Sequence, residues 1–504
     1  MKRLGAVLVF AVVALGLYVG PAQAGSDWHG RSDWHGRGDR HGRSHGHGRS
    51  HGHGRTVWVV DDDYPDRGWC RFGNADFASI QEAVNASSDG DLVLVCPGTY
   101  VETVRVEKKL TIKGAKAGQD ARWRDQSHES VITGEGNGAT GGLVQLLRDD
   151  ITWDGFLIEN NLLGPGMFTS EEFSGYRIRN TIFFENGIGL NLASDGERVV
   201  EVLNNRFTRN NEFATPDIEQ PGAGSGIYSD RGAACVLIAD NLFEFHNGGG
   251  ILFADSVDAD GNPLEPRLQR QVRIEGNKSI NDLSFATFYA SADVQVVHNT
   301  VRNDAWRPTE GSAIFVGARN RNILVKANHI KLANGNGIDV RDSGAPPDGS
   351  EAAPENIDVL KNKVIRAKLH GIDIAATGTE QYEVRGNLAV RNGKVGIHVG
   401  APTEVGVPST GPTAADLTRN TSLDNVVLDC QDQTTGAGTA GTANLWEDNV
   451  GRPDFDDPDG ICNAQPRDHD DHHHGKHKHH KKRHHHKKHP RYDNWCECPR
   501  TGRE

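Results

Sequence analysis

The chain has 504 residues, is 36% hydrophobic and carries a formal net charge of −13. Basic residues exceed acidic ones by two in residues 1–24, by three in 25–55 and by five in 466–504, which leaves −23 on the body between them. Such a body argues against binding nucleic acid, and against holding a polyuronate without a divalent cation between the like charges.

In chain order, Lys2 and Arg3 precede an apolar run over residues 4–19 and then Ala22-Gln23-Ala24. This pattern predicts a secretory signal peptide over residues 1–24, cleaved after Ala24. The run is too short to read as a membrane span, and no later run qualifies. Gly25 rather than Cys follows the cut, so no lipid attachment is expected. Residues 25–55 repeat SDWHGR and hold seven of the 24 histidines, without the apolar residues a core requires. They are expected to be disordered.

Residues 56–465 read as one domain. Phe77, Ile80, Ala83 and Val84 form one apolar face of a short helix, suited to closing the open end of a solenoid. DLVLV, ETVRV and KLTIKG then begin the coils. A phrase recurs after them: an alternating strand, an Asn, a short strand, a turn and a Gly-Ile strand, as in VRIEGNKSI, ILVKANHI and IDVLKNKV followed by GILF, GIDV and GIDI. The repeat Asn is read at 180, 205, 241, 277, 299, 328, 362, 387 and 420. This predicts an all-β parallel β-helix of about ten coils, its asparagines stacked in a hydrogen-bonded ladder.

Residues 466–504 hold eleven histidines among lysines and form a second disordered tail that could bind Zn, Cu or Ni through neutral imidazoles. Oxidising export invites cysteine pairing. Cys70 with Cys96 and Cys430 with Cys462 are expected at the two caps, and Cys235 is read as a buried thiol. Cys496 and Cys498 are too close in sequence for an easy mutual bridge.

The repeat and the stretch FASIQEAVNASSDGDLVLVCPGTYVETVRVEKKLTIKGA together resemble the right-handed parallel β-helix proteins of the pectate-lyase-like superfamily, among them secreted bacterial repeat proteins. The resemblance spans roughly residues 75 to 450. It implies export from a bacterial cell to the medium or the wall, a monomer, and a cleft over the Gly-Ile strands. The catalytic stretches of pectin esterases, polygalacturonases and alginate epimerases are not found, so no specific activity is carried over.

Long insertions place the cleft in the same way. Those beginning after residues 254, 341 and 400 follow Gly-Ile strands, and those beginning at 210 and 303 precede them, so two walls flank a Gly-Ile floor. In G-I-x-V the x side chain points out of the solenoid. The outward row is read as Asn191, Tyr228, Leu252, Phe288 or Tyr289, Phe315, Asp339, Asp373 and His398, with Phe168 at its start. Aromatic and polar groups interleaved in this way suit a sugar chain, whose C–H faces pack on rings while its hydroxyls need partners. Tyr228, Phe315 and Arg341 are therefore candidate substrate-binding residues. Asp339, Asp373 and His398 are candidate catalytic residues.

Asp339 and Asp373 are expected on adjacent coils about 5 Å apart. One pKa should then rise, which suits an acid–base pair; alternatively the two hold Ca²⁺. His398 could relay a proton and Arg341 could neutralise developing charge. The plain alternative is a solvated polar stripe, and stacked aromatics also stabilise a β-helix without any ligand. Three classes remain: a polysaccharide lyase or hydrolase, a glycan-binding or surface-structural protein, and an exported metal-handling solenoid.

Overall fold

The computed structural model describes residues 55–64, 69–134, 138–211, 222–254, 269–304, 310–342, 353–376, 381–400 and 412–462, together with Cys496. The expected signal peptide, most of the first His tract and nearly all of the second lie outside these residues. So do the insertions 212–221, 255–268, 305–309, 343–352 and 401–411, and with them both expected walls.

Among the described residues, three parallel sheets of 14, 12 and 13 strands run the length of a solenoid. Each coil contributes one strand to each sheet in turn. Val57–Val60 opens sheet I, Gly98–Val101 sheet II and Val104–Val106 sheet III, and strands pair with their counterparts one coil on. The strand counts exceed the ten coils expected, because the earliest coils lack the repeat Asn used to count them and the last coil, with Asn449, departs from the repeat phrase.

Period-two alternation fills the interior. In Val104–Val106, for instance, the two valines are buried and Arg105 is exposed. Phe183, Phe207 and Phe243 stack at centroid distances of 4.7 and 5.0 Å within this core, adding about 0.5–1.5 kcal/mol per pair beyond burial. The helix Ile80–Ala86 closes the N-terminal end with Ile80, Ala83 and Val84 buried. Its N-terminus is capped by Glu102, whose carboxylate accepts from the backbone N–H of Ile80 and Gln81 at 2.8 and 2.9 Å. No described helix is long and apolar enough to cross a membrane.

The Asn ladder lies between sheets I and II. Asn328 accepts from the backbone N–H and the Nδ2 of Asn299 at 2.9 and 3.0 Å, and donates to Val296 O at 2.8 Å. The same pattern runs from Asn205 to Asn449. Asn180 is not a member. It is the left-handed residue of its turn, with φ 50°, and Thr181 occupies the ladder position, donating its N–H to Asn205 Oδ1. A second ladder, which the repeat phrase did not reveal, joins sheets II and III through Asn161, Asn186 and Asn210. There His246 and Asp282 continue it as a fully buried pair at 2.8 Å.

Asn328→Ala should cost about 2–3 kcal/mol in urea unfolding, because two donors of Asn299 and the carbonyl of Val296 are left buried without partners. A loss no larger than that of a surface substitution would show that the ladder does not hold the coils together.

Cys70–Cys96 and Cys430–Cys462 are bonded as expected, with Cα separations of 5.9 and 6.2 Å. Cys235 is not a free thiol: it is bonded to Cys496, with Cα atoms 5.7 Å apart. A bridge spanning 261 residues ties the end of the tail to the middle of sheet I, and no local sequence signal marks such a partner.

Candidate functional site

Sheet III is the sheet of Gly-Ile strands, and the glycine has a steric cause. A Cβ on Gly337 would come within 2.5 Å of Gly371 O, and one on Gly371 within 2.5 Å of Gly396 O. Successive coils approach too closely at this corner for a side chain. The residue two positions on then faces away from the core, and register fixes the outward row.

That row runs Phe168, Asn191, Tyr228, Leu252, Thr287, Phe315, Asp339, Asp373, His398. The uncertain position is Thr287, not Phe288 or Tyr289; Phe288 is fully buried in the core. Tyr289 instead lies beside Phe315, their centroids 5.5 Å apart. Tyr228 is separate from the acidic end: four coil spacings, about 19 Å, lie between it and Asp339.

Asp339, Asp373 and His398 come together as expected, on three neighbouring strands, Ile338–Arg341, Ile372–Ala375 and Val395–Val399. They are not open, being 2%, 4% and 1% exposed. Arg341 binds Asp339 in a two-pronged ion pair, Nε to Oδ1 and Nη2 to Oδ2 at 2.7 Å each, and reaches Asp373 Oδ2 at 3.4 Å. Ser312 Oγ donates to Asp339 Oδ2 at 2.8 Å. Asn336 Nδ2 donates to both carboxylates, at 3.1 Å to Asp339 and 3.0 Å to Asp373. His398 Nδ1 bonds Asp373 Oδ1 at 2.7 Å.

This unequal sharing splits the pair. Burial raises the Asp339 pKa above the usual carboxylate range; Arg341 opposes the rise and the charge of Asp373 adds to it. Burial also pushes Asp373 upward, but its hydrogen bond to His398 and the positive charges around it outweigh burial and leave its pKa lowered. The two carboxylates therefore titrate apart, Asp339 taking up a proton before Asp373 as the pH falls. Burial raises the neighbouring Tyr289 phenol too, with Asp339 adding to the rise.

Sequence reasoning passed over His370, Asn336 and Ser312. His370 is 5% exposed and sits one residue before Gly371, its ring 4.7 Å from that of His398. Reading the residue before each Gly-Ile as well as the one after it, N-G-I-D then H-G-I-D, would have found both Asn336 and His370. His370, Asp373 and His398 each offer a ligand atom, all within 4.8 Å of one another, so these three are the residues of the site that could hold a metal.

Burial holds the His370 imidazole down at about 4, from an ordinary value of 6.5. Between these values the unfolded chain binds a proton that the folded chain does not. The residue's contribution to stability is thus complete above pH 6.5 and is lost as the pH falls to about 4, a change on the order of 3 kcal/mol. In chelator-treated protein, urea unfolding across that window should lose this much more stability in the wild type than in His370→Gln. Parallel pH profiles would show that the ring is solvated.

The family described as right handed beta helix region matches residues 225–404. The sequence matches no curated protein. Among solved structures, the chain is similar to a DFA-IIIase from Arthrobacter chlorophenolicus A6 in complex with GF2, at 14% identity over 73% of this chain and 93% of that one, with a TM-score of 0.41. It is also similar to the catalytic unit of a GH87 alpha-1,3-glucanase from Streptomyces thermodiastaticus strain HF3-3, at 13% identity over 75% and 66%, TM-score 0.39. A third likeness is to the periplasmic alginate epimerase AlgG, at 12% identity over 71% and 76%, TM-score 0.32. With three parallel sheets in coil order and a match to the right handed beta helix region over residues 225–404, the chain folds as a right-handed parallel β-helix.

Proposed function

We propose that this is an exported β-helix protein that acts on a polysaccharide over sheet III, with Asp339 as general acid, Asp373 as the ionised base and His398 orienting Asp373. One observation carries the reading: two carboxylates in register on adjacent strands whose surroundings drive their pKa values apart. Arg341 is placed to take up negative charge developing at the same point. Phe315 and Tyr289, the next aromatic groups along the row, offer faces on which a sugar ring can pack. With a body this acidic, a neutral glycan is favoured, or an acidic one with a bridging cation.

A second reading has a specific observation behind it. The cluster is nearly fully buried and its carboxylates are multiply hydrogen-bonded, as in a polar clasp joining coils inside a non-catalytic glycan-binding or surface-structural protein. Affinity electrophoresis against neutral and acidic polysaccharides separates a glycan-directed protein from one that is not. Retardation of the wild type on at least one polysaccharide is expected, weakened about fivefold to tenfold in Phe315→Ala by loss of a stacking face. Equal mobility of wild type and variant on every polysaccharide would remove sheet III as the glycan surface.

A further inference from the structure

We propose that His370, Asp373 and His398 form a site for one transition-metal dication of the Zn²⁺ class, inside the solenoid wall and independent of the His-rich tracts. The three side chains come from two successive coils. His370 and Asp373 flank the Gly371-Ile372 corner, and His398 is the register partner of Asp373 one coil on. Their ligand atoms lie within 4.8 Å of one another. Tetrahedral bonds of about 2.0–2.2 Å set two ligands roughly 3.5 Å apart, so side-chain rotations that draw these atoms together by on the order of 1 Å close the set.

The second observation is His370 itself. It is 95% buried by its 5% exposure, and both of its ring nitrogens lack a hydrogen-bond partner among the described residues. A buried polar atom left in that state is destabilising, and a metal on either nitrogen would supply the missing partner. Two imidazoles and one carboxylate suit Zn²⁺ and its first-row neighbours, whereas Ca²⁺ takes six to eight oxygen ligands.

The surroundings serve the same end. Asp373 is oriented by Asn336 Nδ2 at 3.0 Å and by Arg341 at 3.4 Å, the outer contacts that hold a ligating carboxylate in place. Three protein ligands leave a coordination position for water or a substrate oxygen. The site shares Asp373 and His398 with the proposed acid–base machinery, but it does not depend on that reading, since metal content is measured without any glycan.

The test uses the full-length chain with the eighteen histidines of the two tracts replaced by Asn. This protein is loaded with Zn²⁺, dialysed against a chelating resin and assayed for metal by mass spectrometry. About one zinc per chain should remain, with at least a tenfold drop in His370→Gln and in His398→Gln. Loading the parent with Co²⁺ should give the visible bands of a low-coordinate site, which decides the matter even where a variant fails to fold. No retained zinc and no such bands in the parent, or equal retention in folded His370→Gln, would overturn the proposal.

Discussion

Asp339→Asn should lower turnover on the responsive polysaccharide about 10²- to 10⁴-fold, the usual contribution of a positioned general acid. Asn keeps the size of the side chain and can still meet Ser312 and Asn336, so the strands should stay in register. What it cannot do is take up and release the proton whose affinity burial and the Asp373 charge raise at Asp339. Loss of rate with an unchanged circular dichroism spectrum and unchanged polysaccharide retardation places the acid. A rate within a factor of two of the wild type would assign Asp339 to the clasp instead.

The second large effect is on stability. Arg341→Met should cost roughly 3–5 kcal/mol in urea unfolding, because it strips the counter-charge from carboxylates that are only 2% and 4% exposed. The double variant Asp339→Asn with Arg341→Met should recover part of the loss, since one of the stranded acids is then neutral. That non-additivity reports the pairing itself. A single-variant cost under 1 kcal/mol would show the cluster to be open to water.

Much of the fold was legible because a solenoid repeats its physics. Period-two alternation, the Asn of the turn and the Gly forced by coil-to-coil contact recur at the same place in most coils, and the capping helix buries Ile80, Ala83 and Val84, while Phe77 lies before it and is half-buried. Legibility stopped where two positions draw on the same residues. Asn180 and Thr181 show this: the left-handed residue before the ladder tolerates Asn almost as well as the ladder position requires it. The second ladder was obscured by substitution, since His246 and Asp282 satisfy with a ring nitrogen and a carboxylate what Asn210 satisfies with an amide.

The candidate site was half legible for a related reason. Alternation says which way Asp339, Asp373 and His398 point, and register bears this out. It does not say what covers them, nor that His398 and the positive charges around Asp373 hold its pKa down while burial lifts that of Asp339. His370 belongs to the corner rather than the strand, where no alternation applies. The Cys235–Cys496 bridge joins residues that share no repeat position, so nothing in the periodicity pointed to it.

The most direct measurement is product release by the wild-type chain from a panel of neutral and acidic polysaccharides, with and without added divalent cation. The account predicts soluble sugar product from at least one of them: an unsaturated end would define a lyase, a new saturated reducing end a hydrolase. A folded protein that binds a glycan yet releases nothing from any polysaccharide of the panel would contradict catalysis at Asp339 and Asp373, and would leave the cluster as the clasp of a binding solenoid.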